Sequence, residues 1–222
     1  MSMIVTPILI SLKVAFVSTL FTMSIGVLLA WIFTKHPFKG KDFFEGLIIL
    51  PMVLPPSVTG YALLMLFGKH GLLGELIYKV FGTSLIFTWK AACVASFVVS
   101  LPLMYQSCKA AFINIDSSLE KAARTLGADE KRIFWKIGIP MAAPGIISGT
   151  ILSFTRALGE FGATLMVAGN IPGKTQTIPI AIYFAVDSGD RRTANILVGI
   201  VVIFSFLVIY GLNIWNRKKN RY

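Results

Sequence analysis

Arg156 and Glu160 are two side chains of opposite charge in an otherwise apolar stretch of the sequence. A spacing of four residues places them on one face of a helix, where a guanidinium group and a carboxylate can pair. Ionisable groups are costly to bury in apolar surroundings, so we treat such residues as candidates for a functional role. Two interpretations stay open: a structural ion pair or network, and a pair that shapes the pathway or gate for a polar solute.

Residues 169–175 (GNIPGKT) superficially resemble a phosphate-binding loop, which would make the chain its own ATPase. That motif has four residues between its glycines and follows a strand. Here three residues separate Gly169 from Gly173, and the segment follows an apolar helical stretch. We therefore predict that this chain binds no nucleotide.

The composition indicates an integral membrane protein. Of the 222 residues, 55% are hydrophobic and 14% are charged, against about 25% charged residues in a typical soluble domain. A bilayer core needs about 20 apolar residues per helix. Five such stretches predict an all-α membrane protein with five transmembrane helices in a single domain, residues 1–222. The spans are expected at about 10–34, 45–68, 85–112, 138–167 and 193–216.

The positive charges indicate the orientation. The tail residues Arg217, Lys218, Lys219 and Arg221, together with the segments 35–41 and 109–136, hold most of the 21 Lys and Arg. Cationic residues accumulate in cytoplasmic loops, so we expect the N-terminus outside and the C-terminus in the cytoplasm. Topology thus explains the net charge of +11, and no nucleic-acid partner is expected.

Prolines interrupt several of the apolar stretches. Pro51, Pro55 and Pro56, with Gly60, lie in the second span, and Pro102 lies in the third. Broken helices are tolerated in lipid only where protein or a water-filled cavity satisfies the freed backbone groups. The pattern favours a transporter-like or channel-like interior, and kinks that serve only packing are the alternative. The apolar stretch 178–186 is too short to span and predicts an interfacial or re-entrant helix.

The connection at 113–138 carries strong helix signals. Ser117 with Glu120 fits a capping box, and Gly127 is well placed to end the helix. Asp129 is placed to start a second short helix that brings Ile133, Phe134 and Ile137 to the membrane surface. The apolar positions expected on one face of the first helix are Ile115, Leu119, Ala122, Ala123 and Leu126. Periodicity alone leaves two interpretations, a knob for a partner's groove and an amphipathic helix lying on lipid.

This connection resembles the EAA loop of ABC-importer permeases. The matching pattern is Ala122-Ala123-x-x-x-Gly127, nine further residues, and then Ile137-x-Ile139-Pro140. Lys121 stands where the family has glutamate, with Glu120 one place earlier, and Ile139 replaces a leucine. The segments LPMVLPPSVTGYALLMLFG (50–68), LEKAARTLGA (119–128) and FTRALGEFGATLMVAGNIPGKTQTIPIAIY (154–183) resemble the molybdate permeases of bacterial ABC importers. Sulfate permeases share the Gly-Glu-Phe-Gly core in related form.

The resemblance implies a type I ABC importer permease fold in the bacterial inner membrane. It implies a permease subunit that forms the molybdate pathway as a homodimer, with two ABC ATPase subunits and an extracytoplasmic molybdate-binding protein as partners. ATP and Mg would belong to the ATPase, and no cofactor is expected on this chain. The residues implied in ATPase docking are Glu120, Ala122, Ala123, Gly127, Ile137 and Pro140.

A tetrahedral dianion must be carried without being held too tightly, which favours hydroxyls and backbone amides along the route. The candidates for the pathway or gate are Ser57, Thr59, Arg156, Glu160 and Thr164.

Other functions are weighed against this one. A sulfate or tungstate permease of the same family is one alternative, and a non-transport membrane sensor or scaffold is another. A membrane-embedded enzyme would need clustered catalytic groups, whereas topology puts the only two histidines, His36 and His70, on opposite sides. We therefore assign no catalytic residue and no metal ligand.

Overall fold

The computed structural model describes residues 2–219, apart from the side chains of residues 2, 209 and 212–219. The regular elements in this range are all helical, which confirms the predicted all-α class. They are α1 (Ser2–Lys35), α2 (Lys41–Val53), α3 (Pro56–Phe67), α4 (Leu72–Phe81), α5 (Trp89–Ile113), α6 (Ser117–Thr125), α7 (Glu130–Ile133), a π-helical turn (Phe134–Gly138), α8 (Ile139–Leu158), α9 (Gly162–Ala168), α10 (Ile178–Asp187) and α11 (Arg191–Lys219).

Four helices are long and apolar enough to cross a bilayer: Met3–Lys35, Trp89–Ile113, Glu130–Leu158 and Arg191–Val208. The pair α2 and α3 passes the same test together but is bent by 118°. Counted as one broken span, this pair brings the total to the predicted five. Helix α10 has ten residues, too few to span, as expected for the stretch 178–186.

The break between α2 and α3 follows from the prolines. Pro55 disfavours the helical conformation of the residue before it, and Leu54 is extended, with φ −70° and ψ 145°. Pro56 then starts α3, at a position where its missing N–H would have no helical partner in any case. The predicted interruption of the second span is therefore confirmed. Pro102 lies within the uninterrupted helix α5, so the interruption expected in the third span is wrong.

The fourth apolar stretch, expected at 138–167, is also divided. Helix α7, the π-helical turn and α8 form one rod from Glu130 to Leu158. Residues 159–161 then leave the helix, and α9 starts at Gly162. Residues 2–219 thus contain two interrupted spans.

Helices α1, α5 and α8 form the centre of the bundle. Helices α1 and α5 run in the same direction, because Thr22 lies 3.1 Å from Ser100 and Trp31 packs edge-on against Phe112 near the ends of both helices. Helix α8 runs the opposite way: the Ser153 hydroxyl donates to the carbonyl of Ser100. Two parallel helices in sequence require the chain to return between them, and α2 and α3 supply that return.

Small residues let α5 and α8 approach closely. The Ser107 hydroxyl donates to the Gly145 carbonyl over 2.9 Å, and a Cβ at Gly145 would collide with the Ala111 side chain. A Cβ at Gly149 would lie 2.9 Å from the sulfur of Met104. Packing through small residues is typical of helices in membranes. Cys93 and Cys108 of α5 are buried free thiols, in agreement with their expected role as small apolar side chains.

Different segments of the chain meet at the two ends of the bundle. At one end, the rings of Phe112 and Phe134 pack edge-on against Trp31, and Ile115 and Ile133 are buried beside them. The end of α1 and the connection 113–138 therefore lie at the same end of the bundle. At the other end, the Ser11 hydroxyl accepts the Ile178 N–H over 2.7 Å.

The basic tail used to predict the orientation lies outside this description. Arg221 is not among the described residues, and the side chains of Arg217, Lys218 and Lys219 are not described either.

The close approach of α5 and α8 is testable. We expect Gly145→Val to destabilise the protein by about 1–3 kcal/mol, the usual penalty of overpacking a filled interface. Gly199→Val in α11 is the matched control, because a Cβ there meets nothing within 4 Å. Thermal unfolding of the detergent-solubilised protein measures both. Equal unfolding temperatures for the two variants would contradict the packing described here.

Candidate functional site

Helix α6 begins one residue earlier than the capping box predicted. The side chain of Asp116 accepts the Ser118 N–H over 2.8 Å and caps the helix. This backbone hydrogen bond lowers the pKa of the Asp116 carboxyl below its ordinary value. The predicted box of Ser117 and Glu120 is therefore wrong, because an aspartate, itself a strong N-cap residue, precedes Ser117.

The predicted end of α6 and the start of α7 are confirmed. Gly127 has a φ of +81°, and the Ala128 N–H bonds to the Ala123 carbonyl over 3.0 Å, which closes the turn. A left-handed conformation of this kind favours glycine. Asp129 then caps α7 by accepting the Arg132 N–H over 3.0 Å.

The apolar positions of α6 do not share one face as predicted. Ile115 is buried in the core and Ala123 is half-buried, whereas Leu119 and Ala122 are exposed and Leu126 is 87% exposed. Ile115 precedes the helix, so its direction is set by the chain leaving α5. Ala122, Leu119 and Leu126 form the exposed apolar face of α6.

The residues after α6 also depart from the expectation in part. Ile133 is fully buried against the cluster around Trp31, so its predicted place at the membrane surface is wrong. Ile137 is half-buried and Pro140 is exposed. The position of Ile133 follows from the packing of α7, because a single helical turn cannot bury its apolar side against the bundle and also present that side to lipid.

Glu120 points away from that exposed face. Its side chain is 4% exposed, and one carboxylate oxygen lies 2.6 Å from Nζ of Lys35, the last residue of α1. Arg124 approaches the other oxygen at 3.8 Å and pairs with Glu130 at 2.6 Å. Sequence reasoning missed Lys35, which entered only as one of several positive charges at the end of a span.

Arg156 and Glu160 form an ion pair of 2.7 Å at the break between α8 and α9. The second oxygen of Glu160 accepts the Ala163 N–H in the first turn of α9 over 2.8 Å. Glu160 is 2% exposed, and about a third of the Arg156 side chain is exposed. The carboxylate thus joins the end of one helix to the start of the next.

The two broken spans meet at α3 and α9. A Cβ at Gly60 would lie 2.8 Å from the Cα of Ala163, and a Cβ at Gly162 would lie 2.8 Å from the Cβ of Pro56. We call this contact the α3–α9 crossing. Glycine is required at both positions because the two backbones approach so closely.

The predicted hydroxyl residues lie on the two helices of this crossing. Thr59 on α3 and Thr164 on α9 are buried, and within the described part of the chain their hydroxyls have no hydrogen-bond partner. Ser57, in the first turn of α3, is exposed. The structure therefore brings Glu160 and the three hydroxyl residues to one pair of helices.

The segment 169–175 is a connection between α9 and α10 rather than a strand-to-helix loop. Within it, the Thr175 hydroxyl accepts the Ile171 N–H over 3.1 Å and donates to the Gly169 carbonyl. Both hydrogen bonds of the Thr175 hydroxyl are therefore made within the loop.

The chain is similar in sequence to permease proteins of known transport systems. The chain is 43% identical over 217 residues to the molybdenum transport system permease protein ModB of Escherichia coli (strain K12), which covers 96% of this chain and 94% of that protein. It is 33% identical over 212 residues to the sulfate transport system permease protein CysT of the same organism, covering 96% of this chain and 76% of that one.

Among solved structures, the fold is similar to a chain of a bacterial ABC transporter that imports the acidic polysaccharide alginate. The TM-score is 0.76 at 14% identity, with 97% of this chain and 79% of that chain covered. The inward-facing MetNI methionine ABC transporter gives a TM-score of 0.72 at 18% identity, with 97% and 95% covered. A sequence model described as "binding-protein-dependent transport system inner membrane component" matches residues 22–221. The chain therefore belongs to the family of inner membrane components of binding-protein-dependent transport systems.

Proposed function

We propose that this chain is the permease subunit of an ATP-driven molybdate importer of a bacterial inner membrane. The observation that carries the proposal is the 43% identity to ModB over nearly the whole length of both proteins. The 33% identity to CysT makes sulfate, another tetrahedral dianion, the second candidate substrate. In this proposal the chain performs no chemistry, and a partner ATPase binds ATP and Mg.

The exposed apolar face of α6 supports docking on that ATPase. Leu119 and Leu126 lie outside the core on a short helix at one end of the bundle. An exposed apolar helix face can bind in a hydrophobic groove of another protein. Ala122, Gly127, Ile137 and Pro140 would contact the partner, whereas Ala123, which packs against the core cluster around Trp31, would support the helix from behind. Glu120, whose carboxylate faces Lys35, would anchor it.

The α3–α9 crossing supports a pathway for the anion. Broken spans are tolerated where they line a cavity or are buried in protein, and the two broken spans of this chain meet here. Thr59, Thr164 and Ser57 offer neutral hydroxyls, which can hold a dianion and still release it. Because a single bundle encloses little space, we infer a homodimer with the route along its two-fold axis. An extracytoplasmic binding protein would deliver the anion.

The same fold in a sensor or scaffold would leave α6 exposed for a partner but would move no solute. A transport assay therefore distinguishes a permease from a sensor or scaffold. The identity of the transported anion then distinguishes a molybdate permease from a sulfate permease.

The first test is uptake of labelled molybdate by cells that carry this chain with its ATPase and binding protein. We expect ATP-dependent accumulation that unlabelled tungstate blocks and sulfate does not. Competition by sulfate would assign the chain to the sulfate-transporting members instead. Absence of any ATP-dependent uptake of the three anions would refute the proposal.

Docking through α6 is tested by Gly127→Asp. The substitution places charge beside the exposed apolar face of α6, so we expect loss of ATPase stimulation and of uptake, with the bundle intact. Gly82→Asp is the matched control: Gly82 also ends a helix with a positive φ, +66°, and a Cβ at either glycine meets nothing within 4 Å. Co-purification of the ATPase and its stimulated activity are the measurements. Equal effects of the two variants would show that backbone strain, rather than docking, is responsible.

The two roles of Glu160 are separated by two substitutions. Glu160→Gln removes the charge but keeps an oxygen for the Ala163 N–H, whereas Glu160→Ala removes both contacts. We expect Glu160→Ala to cost about 2–3 kcal/mol, less than the 3–5 kcal/mol typical of breaking a fully buried pair, because about a third of the Arg156 side chain lies outside the core. Thermal unfolding should rank wild type above Gln and Gln above Ala. Wild-type stability of Glu160→Gln with lost uptake would instead assign the charge to the pathway.

A further inference from the structure

Helix α6 is attached to the bundle by a charged residue. Among Ser117–Thr125, the buried residue is Glu120, and the leucine of this helix, Leu119, faces outward. Surface helices ordinarily bury an apolar stripe and expose their charges. Apart from the half-buried Ala123, which packs against the core cluster around Trp31, the attachment of α6 is therefore ionic, while Ile115 before it and Ile133 after it fix the two ends of the connection in the core.

The pair that makes this attachment is largely removed from water. The Lys35 and Glu120 side chains are 13% and 5% exposed, and their charged atoms lie 2.6 Å apart. Burying either charge alone would be far more costly than burying the pair. Lys35 also lies at the C-terminal end of α1, where the helix dipole favours a positive charge. The two groups are therefore held together through any small displacement of either helix.

Lys35 connects this attachment to the centre of the bundle. Helix α1 packs along α5 through contacts such as Thr22 with Ser100 and Trp31 with Phe112. On the other side, Arg124 links Glu120 to Glu130 at the start of α7, and α7 continues into the rod that ends at Leu158. The carboxylate of Glu120 thus stands between two of the three central helices, α1 and α8.

We propose that the Lys35–Glu120 pair is the mechanical link through which a partner that grips α6 displaces α1, so that Glu120 is a positioning residue rather than a contact with the partner. The partner holds the exposed apolar face, and the pair transmits the movement to the bundle. The transport part of this inference rests on the proposed function, whereas the attachment itself does not.

The attachment is tested by hydrogen exchange on the wild-type assembly and on Glu120→Gln and Lys35→Met, each in nanodiscs. We expect amide exchange in residues 117–127 to accelerate about tenfold, within the 5- to 150-fold range typical of coupling between sites, with α5 unchanged. Because both substitutions break one contact, the double variant should be no worse than the more affected single variant. Lys35→Arg should behave as wild type.

A control variant and the pattern of exchange decide the interpretation. Glu75→Gln breaks an exposed pair with Lys79 on α4 and should leave exchange in 117–127 unchanged. Acceleration throughout α1 and α5 would show that the pair only stabilises the fold, and unchanged exchange in α6 would show that it is no attachment. Either result would overturn the inference.

Transmission is tested by the number of molybdate ions imported for each ATP hydrolysed. We expect this ratio to fall severalfold in Glu120→Gln while the ATPase still co-purifies, since the exposed face of α6 is untouched. An unchanged ratio, or loss of the ATPase from the complex, would overturn the inference. Absence of uptake by the wild-type assembly would refute the proposed function, whereas the exchange experiment would still decide the attachment.

Discussion

Hydrocarbon offers no hydrogen-bond partners, so every interruption of a spanning helix must be satisfied by the protein itself. The described part of the chain has two interruptions, and the backbone is satisfied differently at each. Between α2 and α3, Pro56 starts the new helix without an N–H to satisfy. Between α8 and α9, the carboxylate of Glu160 accepts the Ala163 N–H and keeps its charge balanced by Arg156. Because both breaks are satisfied in this way, the two spans can meet at the α3–α9 crossing.

The crossing and α6 lie on the same framework. Helices α1, α5 and α8 pack closely through small residues and a few hydroxyl contacts. The shorter elements are fastened to this framework by ion pairs at one end of the bundle. Lys109 of α5 pairs with Glu45 of α2, and Lys35 of α1 pairs with Glu120 of α6. Each of these short elements is thus held to a long helix by a specific pair of charges.

Local chemistry was predictable from the sequence, and long-range pairing was not. The break at Pro55, the turn at Gly127 and the cap at Asp129 each depend on residues within a few positions of one another. The partner of Glu120 lies in a different helix, and no periodicity connects Lys35 with it. The capping box failed for a related reason: Asp116 and Ser117 are both suitable caps, and the direction of the chain leaving α5 decides between them. Pairing of Arg156 with Glu160 was foreseen as one option because the spacing of four lies within one helix face. Its second role, closing the start of α9, required the break after Leu158 to be seen.

Helix α6 differs from an ordinary surface helix in that its buried residue is charged. A carboxylate faces the bundle and leucines face outward, an arrangement that leaves apolar area in contact with water unless another surface covers it. Covering Leu126 and its neighbours would recover about 25 cal/mol for each Å² of apolar surface removed from water. An apolar attachment to the bundle would have used these same residues and left nothing for a partner. Because Glu120 holds the helix, Leu126 and its apolar neighbours stay available to a partner. The ionic contact and the exposed apolar face therefore both follow from the same arrangement of residues in α6.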